Sequence, residues 1–274
     1  MASLSDRAER LGHEANSSTW LDLGIRGGLV AYGVVHLLIA WLALQLAFGE
    51  REGEASNSGA MQQLAEQPFG TVLLWLVALG MLLLVAWRVL EALVANSEED
   101  GADRAKKMVG SLGKAAIYAA IGVSAVRVAV GSGGGGKSGS DTMTAQVMGW
   151  PGGQFLVGAV GLGVVGYGLH HLWRAWTDEY REQLDGEGQS GSTGTAYLWF
   201  GKIGYAAKGL AVAIVGSLFV YAAATHDPKK SGGLDEALRE VLEKPFGPVL
   251  LGAIALGIAC FGLFSFARAR HLSR

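Results

Sequence analysis

Six stretches of the chain run nearly free of charge, at 23–48, 69–95, 112–130, 153–176, 203–223 and 246–267, and polar segments separate them. A helix that crosses the hydrocarbon core of a bilayer needs about 20 mostly apolar residues, each rising about 1.5 Å. Each stretch therefore predicts a transmembrane α-helix. The third is the weakest, because Lys114 and Arg127 sit near its ends, but long basic side chains can snorkel to the headgroups from there. The pattern just before the last span is different. In 234–243, Leu234, Ala237, Leu238, Val241 and Leu242 recur at helical spacing, with Asp235, Glu236, Arg239, Glu240 and Glu243 opposite. That alternation predicts a short amphipathic helix on the membrane surface.

The spans repeat. Pro68, Pro151 and Pro245 each open an even-numbered span, and a glycine follows twelve residues later in every case, at Gly80, Gly163 and Gly257. The odd-numbered spans align on Gly28, Gly113 and Gly204, and Gly33 and Gly209 follow five residues later in the first and third copies. The prolines are 83 and 94 residues apart and the glycines 85 and 91, so the two alignments agree. Apolar pairs also precede each proline (Leu64 and Ala65, Val147 and Met148, Val241 and Leu242), so each outer loop is expected to carry a short helix. The expected fold is all-α: a polytopic membrane protein whose six transmembrane helices form three two-helix repeats. Each repeat holds an even number of spans, so the repeats are parallel, related by an axis along the membrane normal. They could close into a pseudo-threefold ring or stand in an open row. The expected organisation is an N-terminal segment 1–22, repeat one 23–96, a linker 97–110, repeat two 111–180, a linker 181–199, repeat three 200–269 and a tail 270–274.

Composition agrees with a membrane class: half of the residues are hydrophobic, only 17% are charged, and the mean hydropathy is +0.31. The 42 glycines suit membrane helices that must approach closely without a hydrophobic driving force between them. A single cysteine, Cys260, rules out a disulfide within the chain and any multi-cysteine metal or cluster site. Residues 1–20 are polar, with no apolar run after a basic start, so the first span is expected to do the targeting. Lys and Arg number twelve on the side of the linkers between repeats and six on the side of the hairpin loops. By the positive-inside rule, both termini and the linkers are expected to be cytoplasmic.

The runs Arg26-Gly27-Gly28-Leu29-Val30-Ala31-Tyr32-Gly33-Val34-Val35-His36-Leu37-Leu38 and Lys202-Ile203-Gly204-Tyr205-Ala206-Ala207-Lys208-Gly209 resemble domain-of-unknown-function family 1206. The resemblance extends from about Leu23 to Ala269 on the repeat boundaries above. It implies a bacterial, typically actinobacterial, six-helix membrane protein with three hairpin repeats, set in the plasma membrane, and it implies no activity. The middle copy departs from the pattern, with Ser111 in place of Arg26 or Lys202 and Tyr118 in place of glycine.

Candidate chemistry is sparse. Gly131 to Ser138 matches the phosphate-binding loop pattern, but that loop needs a buried strand before it and a helix starting at its Lys-Ser. Here a membrane helix precedes it, so the segment reads as a flexible linker and no nucleotide is expected. His36 lies about 10 Å inside the first span, where an ionisable side chain is either functional or hydrogen-bonded to a neighbouring helix. Pairing it with His170 or His171 around a haem fails on depth, because helical rise separates them by about 8 Å along the membrane normal. A third candidate is basic. Arg26 and Lys202 are equivalent by repeat, Lys114 and Lys208 follow within two turns, and on the even spans Glu91, Arg174 and Arg268 are equivalent, as are Arg88, His171 and Ser265. Most of these side chains can snorkel to anionic headgroups. Lys208 lies about 9 Å deeper than Lys202, where the other copies place Tyr32 and Ile117.

Arg26, His36, Lys114, Lys208, Arg88 and Arg174 are thus the candidate binding residues, either along a pathway or at lipid headgroups. No catalytic constellation, metal site or cofactor site is expected, and no nucleic acid. Expected partners are the bilayer with its anionic lipids, and a second membrane protein or further copies of the chain. Two functions remain open: a small-solute transporter or channel, possible for an anion, or a structural or accessory membrane subunit whose glycine-rich interior is packed shut. Contacts through Gly158, Gly161, Gly163 and Gly166 would favour the second.

Overall fold

The computed structural model describes residues 19–49, 53–93, 101–131 and 139–273. Within them the order long helix, short helix, long helix occurs three times. In the first repeat these are α1 (Thr19–Ala47), α2 (Asn57–Ala65) and α3 (Gly70–Leu93). The second has α4 (Gly101–Ala129), α5 (Gly139–Met148) and α6 (Gly153–Trp176), and the third α7 (Gly191–Thr225), α8 (Leu234–Leu242) and α9 (Gly247–Arg270). The six long helices are all long and apolar enough to cross a membrane, and among the described residues there is no strand, only an isolated bridge between Leu184 and Leu272. Side chains that a soluble protein would cover stand outward on them, including Trp75, Leu79, Leu82, Leu162 and Leu256, each half exposed or more.

Two spans are longer than hydropathy indicated. α4 starts at Gly101 rather than near Leu112, so the expected linker 97–110 is helical from Gly101 onward. α7 has 35 residues, about 52 Å of helix against about 30 Å of hydrocarbon. Its first three turns, Gly191 to Lys202, are rich in Gly, Ser and Thr, which hydropathy reads as loop and which nevertheless carry the helix out of the apolar region.

One turn joins each short helix to the next span. Pro68-Phe69-Gly70, Pro151-Gly152-Gly153 and Pro245-Phe246-Gly247 place the middle residue in the left-handed region, at φ 63°, 76° and 61°. The amide of the third residue donates to the carbonyl preceding the proline, at 2.8, 2.9 and 2.8 Å. Proline followed by a residue of positive φ is the arrangement of a type II turn. A Cβ on Gly70, Gly153 or Gly247 would collide with a carbonyl at the end of the short helix, so the third position admits only glycine.

The described chain divides into two compact units. One contains α1 as far as Tyr32 and the segment 64–133; the other contains 33–63 and everything from 134 onward. In the first, Gly28 lets α1 approach α3 so closely that a Cβ there would lie 2.7 Å from the Gly80 carbonyl, and α3 packs along α4. In the second, α7 packs on α6 and α9, and α9 meets the second half of α1. At that last contact a Cβ on Gly33 would lie 2.9 Å from the Gly262 carbonyl, and at the α6–α7 contact one on Gly168 would lie 2.7 Å from the Gly209 carbonyl. Gly33 and Gly209 are repeat-equivalent, as are Gly262 and Gly168, so the same backbone approach is used twice.

α8 buries Ala237, Leu238 and Val241 against α7 and α9, as its pattern predicts. Glu236 accepts from the Gly233 amide at 2.9 Å and closes its N-terminus. Asp235 does not lie on the solvated face expected for it. It is buried, because its Oδ1 accepts the buried Ala55 amide at 2.8 Å and its Oδ2 accepts Arg239 Nε at 2.6 Å. The third repeat's short helix thereby holds the loop that leads into α2.

Candidate functional site

The six candidate residues fall three to each unit. In the first unit α3 and α4 bring Arg88, Lys114 and Glu91 together. Arg88 forms an ion pair with Glu91 one turn away, Ser111 donates to the same carboxylate at 3.0 Å, and the Lys114 charge also acts on it. Arg88 further bonds Tyr118, whose ring meets Tyr32 edge-on at 5.1 Å. Ser111 and Tyr118 are the two positions where the middle repeat departs from its sisters, and both face the Arg88–Glu91 pair. Arg26 is half-buried on α1 in the same unit. Arg88 and Lys114 share the Glu91 carboxylate.

In the second unit the composition is different. Lys208 on α7 donates through Nζ to His36 Nε2 on α1 at 3.4 Å, and its ammonium lies 3.9 Å from the centre of the Phe261 ring on α9. An ammonium only donates, so this hydrogen bond requires an unprotonated His36 Nε2. Its ring lies 4.9 Å from that of Phe261. Inserting a lysine into hydrocarbon costs about 3 kcal/mol on translocon scales. A cation–π contact and a hydrogen bond, at about 1 kcal/mol each, offset much of that. Lys208 is therefore held inside the protein rather than drawn out to the headgroups.

Around it stand Arg174, His171 and Arg268. The Arg174 guanidinium lies 4.9 Å over the Tyr205 ring and 3.5 Å from Glu179. His171 is buried, with its Nδ1 3.0 Å from the Tyr167 carbonyl, to which it must donate. Its ring stacks on Tyr205 at 5.4 Å, and the charges of Lys208 and Arg174 reach it. Arg268 is 7% exposed, its charge acts on Lys208, and no acceptor among the described residues reaches its buried Nε. Site selection by sequence missed Arg268, although its signal was present: it stands at the repeat position of Glu91 and Arg174. Sequence also missed Tyr205 and Tyr180, buried rings that stack at 5.9 Å. Of the glycines expected to close the interior, Gly158 and Gly161 touch α7, together with Gly168, whereas Gly163 and Gly166 do not.

The side of this cluster nearest the inter-repeat loops is covered. A 3-10 turn at Glu179–Gln183 places Tyr180 beneath the α6–α7 connection, and Gln183 exchanges hydrogen bonds with the Tyr205 hydroxyl at 2.7 and 3.0 Å. Burial, together with the hydrogen bond to Asp178 and its charge, pushes the Tyr180 phenol up to about 12. Burial opposes ionisation of Asp178 as well, but hydrogen bonds from Lys202 and Tyr180 and the Arg181 charge outweigh it and hold the carboxylate below its usual range. The Leu184–Leu272 bridge and the His271–Asp185 pair at 3.3 Å tie the end of α9 to the same connection. The loop Gly131 to Ser138 lies outside the described residues apart from Gly131.

Comparison with known proteins accords with the repeat reading. The chain is 29% identical over 251 residues to the uncharacterized protein YxxB of Bacillus subtilis (strain 168), over 91% of this chain and 90% of that one. No solved structure matches. The profile of the family described as Domain of Unknown Function (DUF1206) matches three times, over residues 27–95, 109–178 and 203–271, one match per repeat. The chain belongs to this family, as three tandem copies of its domain.

Proposed function

We propose that the protein moves a small anion across the bacterial plasma membrane, with its inter-repeat loops on the cytoplasmic side. The observation that carries this reading is the placement of Lys208: its ammonium lies between α1, α7 and α9, against His36 and Phe261, with the charge of Arg268 acting on it. A cation held in the interior of a parallel-repeat membrane protein lowers the barrier for an anion and raises it for a cation. The twelve-to-six distribution of Lys and Arg supports the orientation. Anion efflux from proteoliposomes tests it. The native protein should exceed protein-free liposomes, and Lys208→Leu should lose most of the flux. No flux, or equal flux in Lys208→Leu, refutes the reading.

A second reading is favoured by the contacts of Gly158, Gly161 and Gly168 with α7, which close that helix pair backbone to backbone. In it the protein is an accessory membrane subunit that holds anionic lipid or another membrane protein. Absence of flux together with retention of anionic lipid would select it.

A further inference from the structure

We propose that the α6–α7 connection, from Asp178 to Gly191, is a hinged lid over the inter-repeat end of the second unit, one that swings as a body to uncover Tyr205 and Arg174. The inference rests on neither reading above. A solute ion and a lipid headgroup arriving from the inter-repeat side would meet the same lid.

The segment is knitted to itself. Gln189 Nε2 donates to the Leu184 and Arg181 carbonyls at 2.8 and 3.2 Å, the Gly188 amide donates to Asp185 Oδ1 at 2.7 Å, and the Ser190 hydroxyl donates to the Gly186 carbonyl at 2.6 Å. At the other end Asp178 takes the Tyr180 hydroxyl at 3.1 Å and the Arg181 guanidinium at 2.9 Å. A loop closed by its own side chains in this way is a compact body. Its two ends are single left-handed residues: Asp178, at φ 58°, follows α6, and Gly191, at φ 68°, opens α7. Abrupt changes of backbone direction at the ends of rigid elements are where a few dihedral rotations move a whole loop.

The lid docks in notches that glycine leaves. Tyr180 is buried because Gly201 of α7 has no side chain: a Cβ there would lie 2.5 Å from the Tyr180 ring. Gly188 admits His271 in the same way, since its Cβ would lie 2.5 Å from the His271 Cβ. Beneath Tyr180 are the Tyr205 and Phe264 rings, 5.9 and 5.7 Å away between centres, and the Arg174 guanidinium lies over Tyr205. The contacts that hold the lid down are lighter than those within it. Gln183 exchanges hydrogen bonds with the Tyr205 hydroxyl, and Asp178, Glu179 and Asp185 each pair with a base outside the segment, Lys202, Arg174 and His271, at 3.2, 3.5 and 3.3 Å. All three carboxylates are partly open to solvent, so these pairs are screened and contribute little. One isolated bridge, Leu184 to Leu272, ties the edge. Because the Tyr180 hydroxyl is satisfied by Asp178 inside the segment, the ring can leave its notch without losing that hydrogen bond.

The test uses the full chain in detergent. Phe264, fully buried beneath Tyr180, is replaced by cysteine in a Cys260→Ala background, and modification at position 264 by a small water-soluble methanethiosulfonate is timed. Adding Gln183→Ala, which removes the exchange with Tyr205, should speed modification about fivefold. Hydrogen–deuterium exchange should rise together across residues 178–190 while α8 keeps its native rate. The converse variant locks the lid. The Asp185 amide donates to the His271 carbonyl and the Ser273 amide to the Gln183 carbonyl, so Leu184 and Leu272 form a non-hydrogen-bonded antiparallel pair, whose Cα separation of about 4.5 Å a disulfide spans. Oxidising Leu184→Cys/Leu272→Cys in Cys260→Ala should slow exchange across 178–190, and reduction should restore it. Equal modification with and without Gln183→Ala overturns the lid, as does exchange that rises equally in α8, or an oxidised pair that exchanges like the reduced one. Should Phe264→Cys not fold, exchange decides alone: native rates across 178–190 in Gln183→Ala overturn it.

Discussion

Replacing Asp235 by alanine removes the clasp between α8 and the loop that opens α2. The Ala55 amide is buried and donates to Asp235 Oδ1 at 2.8 Å. Losing the acceptor leaves a buried N–H unsatisfied, at about 1–3 kcal/mol. The Arg239 partner is 38% exposed in its side chain, so its ion pair adds at most about 1 kcal/mol. Local opening of residues 53–65 should therefore rise about 5- to 150-fold at 1.4 kcal/mol per decade. Hydrogen–deuterium exchange on peptides spanning Ser56, whose hydroxyl caps α2 by accepting the Gly59 amide at 3.2 Å, reads that opening directly. Asp235→Asn keeps an oxygen acceptor and should recover most of the protection. Exchange in Asp235→Ala equal to that of the native protein would refute the reasoning, and so would equal losses in the alanine and asparagine variants.

Three further outcomes are expected. Impermeant thiol reagents on intact cells should label a cysteine placed at Lys229 and not one placed at Arg181, and the reverse pattern would invert the proposed orientation. The Tyr180 phenol, held neutral by burial and Asp178, has a folded pKa raised to about 12 above an ordinary value of 10.0. Its contribution to stability is therefore complete below pH 10 and is lost as pH rises through 12. Absorbance titration at high pH should show a late-ionising phenol that Tyr180→Phe removes. Phe246 occupies a left-handed conformation at φ 61° while 81% exposed at the head of α9. Phe246→Gly should raise thermal stability in detergent by relieving about 1 kcal/mol of strain, yet weaken retention in bilayers if the ring anchors the interface; a fall in detergent stability would deny the strain.

The six spans and their threefold repetition were legible because hydrocarbon imposes length and apolarity on each helix, and because proline and glycine mark turns and close contacts irrespective of the rest of the sequence. The limits of α4 and α7 were not, since helix extending beyond the bilayer obeys no hydropathy rule. Lys208 was legible as a break in the repeat, but its partners were not. Whether His36 or Phe261 meets it depends on which faces of α1 and α9 turn inward, and sequence alone does not set that rotation. Asp235 misled for a physical reason: on a helical wheel a carboxylate belongs to the solvated face, unless a distant backbone amide needs an acceptor. The Pro-x-Gly turn was half-seen. Its proline marks the start of each even-numbered span in the sequence, whereas the glycine two residues later stands out only once the carbonyl above it is located.

Duplication supplies a rule for reading the polar interior. Along the α3–α4 contact, Arg88 and Glu91 face Ser111 and Tyr118, and the pairing is neutral within itself. Along the α6–α7 contact the equivalent positions are His171 and Arg174 opposite Lys202 and Gly209. The carboxylate has gone, and the bulky tyrosine has become a glycine that brings the two backbones together. These changes are linked. Tyr118 supplies Arg88 with a hydrogen-bonding partner beside its carboxylate, whereas Gly209 closes the helices and Arg174 lies over the face of Tyr205, with Glu179 from the following turn 3.5 Å away. Where Lys208 replaces the Ile117 and Tyr32 of its sister repeats, it joins cations that have already lost their repeat-equivalent acid. Each such charge costs a few kcal/mol to insert into hydrocarbon. Repeats two and three thus carry Arg174 and Arg268 where repeat one carries Glu91, and in the third repeat Lys208 adds a further cation whose neighbour is Arg268.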